Sequence, residues 1–153
     1  MQELNEILNE LKKEMPYKWR VQSFSRNYPT AQCVAYIDAR DVMDRLDACC
    51  EWKDRYYEVC GNLYCEIAIK VGDEWVSRSD CGTESKVEAD KGQASDAFKR
   101  AAVKFGVGRF LYSLKIMRVR TSNKQEQGKP YPFVVDNSGN RVNDLTTYIN
   151  NLK

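Results

Sequence analysis

Lys91–Tyr112, reading KGQASDAFKRAAVKFGVGRFLY, decides how the rest of the chain is read. At about 100° per residue, Ala94, Ala97, Phe98, Ala101 and Phe105 fall within one arc, the stripe of a helix laid on a core. Lys91, Ser95 and Lys99 climb one flank of that stripe, and Arg100 and Lys104 take the other. Cations held on both borders of a rigid rod suit a phosphate backbone. Long basic side chains also edge buried stripes for a plainer reason, because their stems cover apolar surface while the charge stays in water. Gly106 and Gly108 read as the residues that stop the helix and turn the chain.

Working outward, the stretch before this helix has the alternation of strands. Tyr56–Cys60, Leu63–Val71 and Glu74–Cys81 are separated by Gly61-Asn62 and Gly72-Asp73, and Leu63, Cys65, Ile67 and Ile69 alternate onto one face. This predicts a three-strand meander covered by the long helix. Upstream, Tyr17–Ser25 and Thr30–Ile37 flank a turn at Arg26–Pro29 and predict a hairpin, after which Asp38 caps a helix carrying Val42, Met43 and Leu46. Leu4, Ile7, Leu8, Leu11 and Met15 recur at helical spacing up to Pro16, which predicts an N-terminal helix over residues 3–15 with one sticky stripe. The fold class is therefore α+β: a small antiparallel sheet, hairpin plus meander, packed against a long helix. With 153 residues the chain is expected to be a single domain with its core over 17–112 and a basic C-terminal segment over 113–153.

Charge is unevenly spread. Residues 1–98 hold 13 Lys and Arg against 19 Asp and Glu, whereas residues 99–129 hold nine basic groups against Glu126 alone. Concentrated positive charge is the footprint of a surface for polyanions, although a solvated basic face without a ligand has the same composition. The chain has no histidine and no C-x-x-C pair among its six cysteines, so serine triads, H-E-x-x-H sites and common zinc sites are excluded and no metal is expected. The cysteines read as reduced thiols of a cytoplasmic protein. No apolar run approaches a membrane span, and Met1–Lys13 lacks a signal-like block. Gly128-Lys129 is followed by Pro130, so no phosphate-binding P-loop exists, and Gly106-Val107-Gly108 follows a helix where a dinucleotide fingerprint would follow a strand. No cofactor and no ATP-driven chemistry are expected, and no catalytic residue is assigned. Asp38, Asp41, Asp44 and Asp47 recur every third residue and offer carboxylates to a metal-dependent nuclease, but that spacing drifts around the helix and fits a solvated face.

The segment Asp96-x-x-Lys99-Arg100-Ala101 resembles the signature of the Rad52 family of single-strand annealing proteins, especially its phage Sak-type and bacterial DdrA-type branch. Tyr36-Ile37-Asp38, the run Gly61–Ile69 and Trp75–Thr83 follow in the family's order, so the resemblance covers roughly Tyr17–Tyr112. It implies a non-enzymatic protein of a bacterial or phage-infected cell that binds single-stranded DNA and anneals complementary strands in recombination and repair. It also implies a homo-oligomeric ring, with a host or phage single-strand-binding protein or exonuclease as a candidate partner. Carried over position by position, it places Lys99, Arg100, Lys91 and Arg20 in an inner DNA groove and Lys86 at an outer DNA site. Lys104 joins them from its place on the helix flank. A passive protein that protects single-stranded ends is the alternative reading.

Overall fold

The computed structural model describes residues 3–83, 89–122, 128 and 132–152. The chain divides into two compact units, one built from Met1–Met15 and Ile37–Phe110, the other from Pro16–Tyr36 and Leu111–Lys153. The architecture is α+β, with antiparallel sheets of three and four strands. Among the described residues no helix is long and apolar enough to cross a membrane.

The first unit contains helix α1 (Leu4–Leu11), α2 (Ala39–Cys49), strands β3 (Trp52–Val59), β4 (Asn62–Val71) and β5 (Glu74–Cys81), and the long helix α3 (Ala89–Val103). The meander has the order β3-β4-β5 and α3 lies across it. Cys65, Ile67 and Ile69 of β4 are fully buried, as their alternation requires, and meet Ala97, Phe98, Ala101 and Ala102 of the helix in the same core. Close approach is enforced at Gly82, where an added Cβ would stand 2.1 Å from the Gln93 carbonyl oxygen. The β3–β4 turn is Cys60-Gly61, one residue earlier than the sequence predicts: both have positive φ, +52° and +79°, the requirement of a type I′ hairpin. The second turn is Gly72-Asp73 as predicted, with Gly72 at φ +63°.

Helix α2 begins with a capping box, in which the Asp38 carboxylate accepts from the Asp41 N–H and the Asp41 carboxylate from the Asp38 N–H, both at 3.0 Å. Val42 and Leu46 face the core while Met43 is exposed. Helix α1 closes at Leu11, short of Met15. The Arg45 guanidinium donates to the carbonyls of Glu10, Leu11 and Lys13 at 3.2, 3.2 and 2.7 Å, so a cation from α2 takes up the orphan acceptors at the end of α1. Ile7 and Leu11 bury the α1 stripe within this unit.

The predicted hairpin, β1 (Lys18–Phe24) and β2 (Thr30–Tyr36), lies in the second unit. Its partners are β6 (Met117–Ser122) and β7 (Phe133–Val134), in the order β1-β2-β6-β7, so hairpin and meander occupy separate sheets. Helix α4 (Leu145–Leu152) covers one face of this sheet, burying Ile149 among Trp19, Ala31, Cys33, Val119 and Val134. Trp19 anchors the helix through its backbone N–H to Thr146 Oγ1 at 3.0 Å and its indole N–H to Asn150 Oδ1 at 3.1 Å. The segment after Tyr112 thus completes a sheet and a core.

Candidate nucleic-acid interface

The four residues of the Asp96-x-x-Lys99-Arg100-Ala101 segment divide among different tasks. The Asp96 carboxylate accepts from the backbone N–H and the hydroxyl of Thr83 at 2.9 and 3.1 Å, tying the exit of β5 to α3. Ala101 is fully buried. Lys99 is half-buried, and its ammonium donates to the Ile37 carbonyl oxygen at 3.4 Å, ahead of the α2 cap. Arg100 is exposed. Of the pair expected to hold phosphate, then, one cation faces water and the other also fastens two elements together. Lys91 lies on α3, but its side chain is outside the described residues, as is Lys86 entirely.

Lys104 follows the last residue of α3, and its ammonium is directed onto the Ser79 carbonyl oxygen of β5. Its own carbonyl oxygen accepts from Arg78, while Arg109 Nη2 donates to the Val103 carbonyl at 2.8 Å. Three cations thus gather at the negative end of the helix dipole, where Arg78 and Arg109 satisfy acceptors the helix leaves open. Gly106 and Gly108, at φ +102° and +79°, turn the chain there and bring Phe105 and Val107 back into the core.

Arg20 belongs to the second unit, and its surroundings were not apparent from the sequence. The register pairs Lys18 with Tyr36, Arg20 with Val34, Gln32 with Arg118 and Thr30 with Arg120. Directly opposed residues share a face and residues two apart along a strand repeat on it, so Lys18, Arg20, Arg118 and Arg120 all stand on the face opposite Trp19, Cys33 and Val119. All four are exposed, and no carboxylate occupies the paired positions between them. The Arg20 guanidinium lies 5.6 Å from the centre of the Tyr36 ring, which sets its plane against the sheet. The alternation Met117-Arg118-Val119-Arg120-Thr121 was the signal that could have found the two β6 arginines. Their placement beside Arg20 depends on the β2–β6 pairing, which no local pattern encodes.

The aspartate series is not assembled for metal. Asp38 and Asp41 are spent on each other's backbone N–H groups, and Asp47 accepts from the Trp52 indole at 2.7 Å. Among the described residues no group of three or more His, Cys, Asp or Glu side chains is placed to hold an ion. All six cysteines are free thiols. Burial pushes the Cys65 thiol up to about 12 and the Cys50 thiol up to about 11, which leaves both protonated and unreactive at neutral pH.

Comparison with known proteins places these features in a family. A family model described as the Rad52/22 family double-strand break repair protein matches residues 1–130. The chain is 39% identical over 100 residues to the single-stranded DNA-binding protein DdrA of Deinococcus radiodurans, covering 63% of this chain and 48% of that protein. It is equally 39% identical over 100 residues to the protein of the same name from Deinococcus deserti, covering 63% and 50%. It therefore spans about half the length of these relatives. No solved structure matches it significantly.

Proposed function

Since the chain belongs to the Rad52/22 family of double-strand break repair proteins, we propose that it binds single-stranded DNA by its phosphates and anneals complementary strands without ATP or any other cofactor. Annealing demands that a strand be held by its backbone while the base edges stay free, so its contacts should be cationic and indifferent to sequence. The outer face of β1-β2-β6 has that composition: four exposed cations on the two strands that flank β2, with no carboxylate at the paired positions between them. This is the observation that supports the reading most. Within the first unit, Arg100 on α3 is an exposed cation in its own right, and Lys99 and Lys91 stand on the same helix. Lys104 contributes less, its ammonium being occupied by Ser79. A groove on one small chain is short, and a closed head-to-tail ring of many copies makes it continuous.

The test is strand pairing. Complementary oligonucleotides, one carrying a donor dye and one an acceptor, should pair faster with the protein than without it, equally with and without ATP, and irrespective of sequence. Light scattering on the same sample should give a mass many times 17.7 kDa. The name of the two relatives states single-stranded DNA binding alone, which fits equally a second reading, a binder that protects single strands without pairing them. Tight binding with no acceleration of pairing would select that one, and a monomer that stays a monomer on DNA would remove the ring.

A further inference from the structure

A cleft of about 410 Å³ opens in the first unit between α1 and the C-terminal end of α3. Its polar lining is Asn5, Asn9, Lys12, Arg78, Lys104 and Arg109, and among the described residues no acidic one lines it. Backbone carbonyls account for part of this charge, since Arg78 and Arg109 donate to those of Lys104 and Val103 at the end of α3 and the Lys104 ammonium to that of Ser79 on β5. It does not account for all of it. A helix C-terminus presents about half a negative charge, against four cations here. A guanidinium also carries five N–H donors, more than the capping bonds of either arginine use.

Lys12 makes the distinction sharpest. It is the C-cap residue of α1, is exposed, and has no ion-pair or hydrogen-bond partner for its ammonium among the described residues. Glu10, the nearby acid, is taken by Lys13 at 2.8 Å. The wall it belongs to is firmly placed. Arg45 grips the carbonyls of Glu10, Leu11 and Lys13, and the absence of a side chain at Gly106 admits the Lys12 backbone, since a Cβ there would stand 3.0 Å from Lys12 Cβ. Opposite, the Arg78 guanidinium is fixed by the Lys104 carbonyl and lies 4.9 Å from the centre of the Phe105 ring. Asn5 and Asn9, one turn apart on α1, offer neutral amide donors to the same space. Fixed guanidinium groups, ammonium groups and amides converging on a cleft without carboxylates match one ligand chemistry, the oxygens of a phosphate.

We propose that this cleft is a phosphate-binding site separate from Lys99, Arg100 and the β1-β2-β6 face. The proposal does not depend on the annealing reading. Its ligand is a phosphate group, either free, as in a nucleotide or polyphosphate, or within a DNA backbone.

Calorimetric titration of the full chain with inorganic pyrophosphate tests it. Saturable binding is expected, weakened about tenfold or more by Lys12→Glu, the scale of one charge-assisted contact. Lys13→Glu makes the same charge change one residue away, outside the lining, and is expected to weaken binding less than about twofold. Asn9→Asp attacks the same wall with almost no change of size, and its loss of affinity keeps the test valid if Lys12→Glu disturbs α1. A Lys99→Ala/Arg100→Ala variant should keep its pyrophosphate affinity even where DNA binding is lost. Absence of saturable binding, equal losses from Lys12→Glu and Lys13→Glu, or a loss confined to the Lys99/Arg100 variant would each overturn the proposal. Titration with a thymidine oligonucleotide then separates the sources: a salt slope flattened by about 0.7 in Lys12→Glu assigns the site to a DNA backbone, and an unchanged slope assigns it to a free phosphate compound.

Discussion

The two units differ in how far their positive charge is exposed. In the first, Lys99 reaches the Ile37 carbonyl, Lys104 the Ser79 carbonyl, Arg45 the end of α1, and Arg78 and Arg109 the end of α3. In the second, Lys18, Arg20, Arg118 and Arg120 stand exposed on one face of a sheet whose other face is the core. A count of cations along the sequence treats both sets alike, yet the first set is largely spent on backbone carbonyls, whereas the second stands exposed even where Arg120 Nη1 reaches the Asn137 carbonyl at 3.5 Å. Replacing a cation of the first kind should be felt in stability, and replacing one of the second in DNA affinity.

The largest effect should come from the sheet face. Replacing Arg20, Arg118 and Arg120 together with alanine is expected to flatten the plot of log affinity for single-stranded DNA against log salt by about 2.1, from about 0.7 per lost phosphate contact. Affinity at moderate salt should fall about a hundredfold. Thermal unfolding should move little, because exposed substitutions usually lie within about 0.5 kcal/mol. Unchanged salt dependence would show that this face does not carry the strand and would end the contrast between the units.

Arg45→Ala is the reciprocal experiment and the next in size. It removes the donors that hold four carbonyls at and just beyond the end of α1, and urea unfolding should register a loss of about 2 kcal/mol, the scale of hydrogen bonds made by a charged group. The salt slope of DNA binding should be that of the unaltered chain. A smaller pair of effects separates Lys99 from Arg100. Arg100→Ala should flatten the slope by about 0.7 at no cost in stability, whereas Lys99→Ala should also cost about 1 kcal/mol through the Ile37 carbonyl it leaves behind. Equal stability of the two variants would mean that Lys99 is as uncommitted as its neighbour.

What the sequence disclosed follows from the range of each signal. The α2 cap, the Gly72-Asp73 turn, the β4 alternation and the α3 stripe are local, and all four are found where they were read. The start of β3 at Trp52 was not legible, because Lys53, Asp54 and Arg55 are exposed on an edge strand and give no apolar alternation. The Cys60-Gly61 turn departed from the reading because cysteine rarely takes a positive φ. The division into two sheets rests on β2 pairing with β6, about ninety residues away, and tertiary pairing of that range leaves no periodicity in the chain. The surroundings of the candidate site were illegible for the same reason: helix flanks predicted that Lys99, Arg100 and Lys104 border a stripe, but which cations meet carbonyls depends on Ile37 and Ser79, which sequence spacing does not bring near.

Two cysteines allow the units to be compared by their own stability, with the smallest expected difference. Cys33 is fully buried in the core of the second unit and Cys65 in that of the first, and burial raises both thiols above their ordinary value. Neither can react with an alkylating reagent while folded, since the reactive species is the thiolate. Labelling under native conditions therefore reports the opening of each unit, in the manner of hydrogen exchange. Exposed Cys60 should react at once. Cys33 should follow before Cys65, because its sheet is closed on one side only by the two-residue strand β7 and its core holds fewer large buried side chains than the α3–meander core. Below about pH 8.5 both rates should rise about tenfold per pH unit, as the thiolate fraction of the opened state does. Identical rates for Cys33 and Cys65, read by mass spectrometry of the labelled peptides, would mean that the two units open as one and that their different use of charge rests on a single cooperative fold.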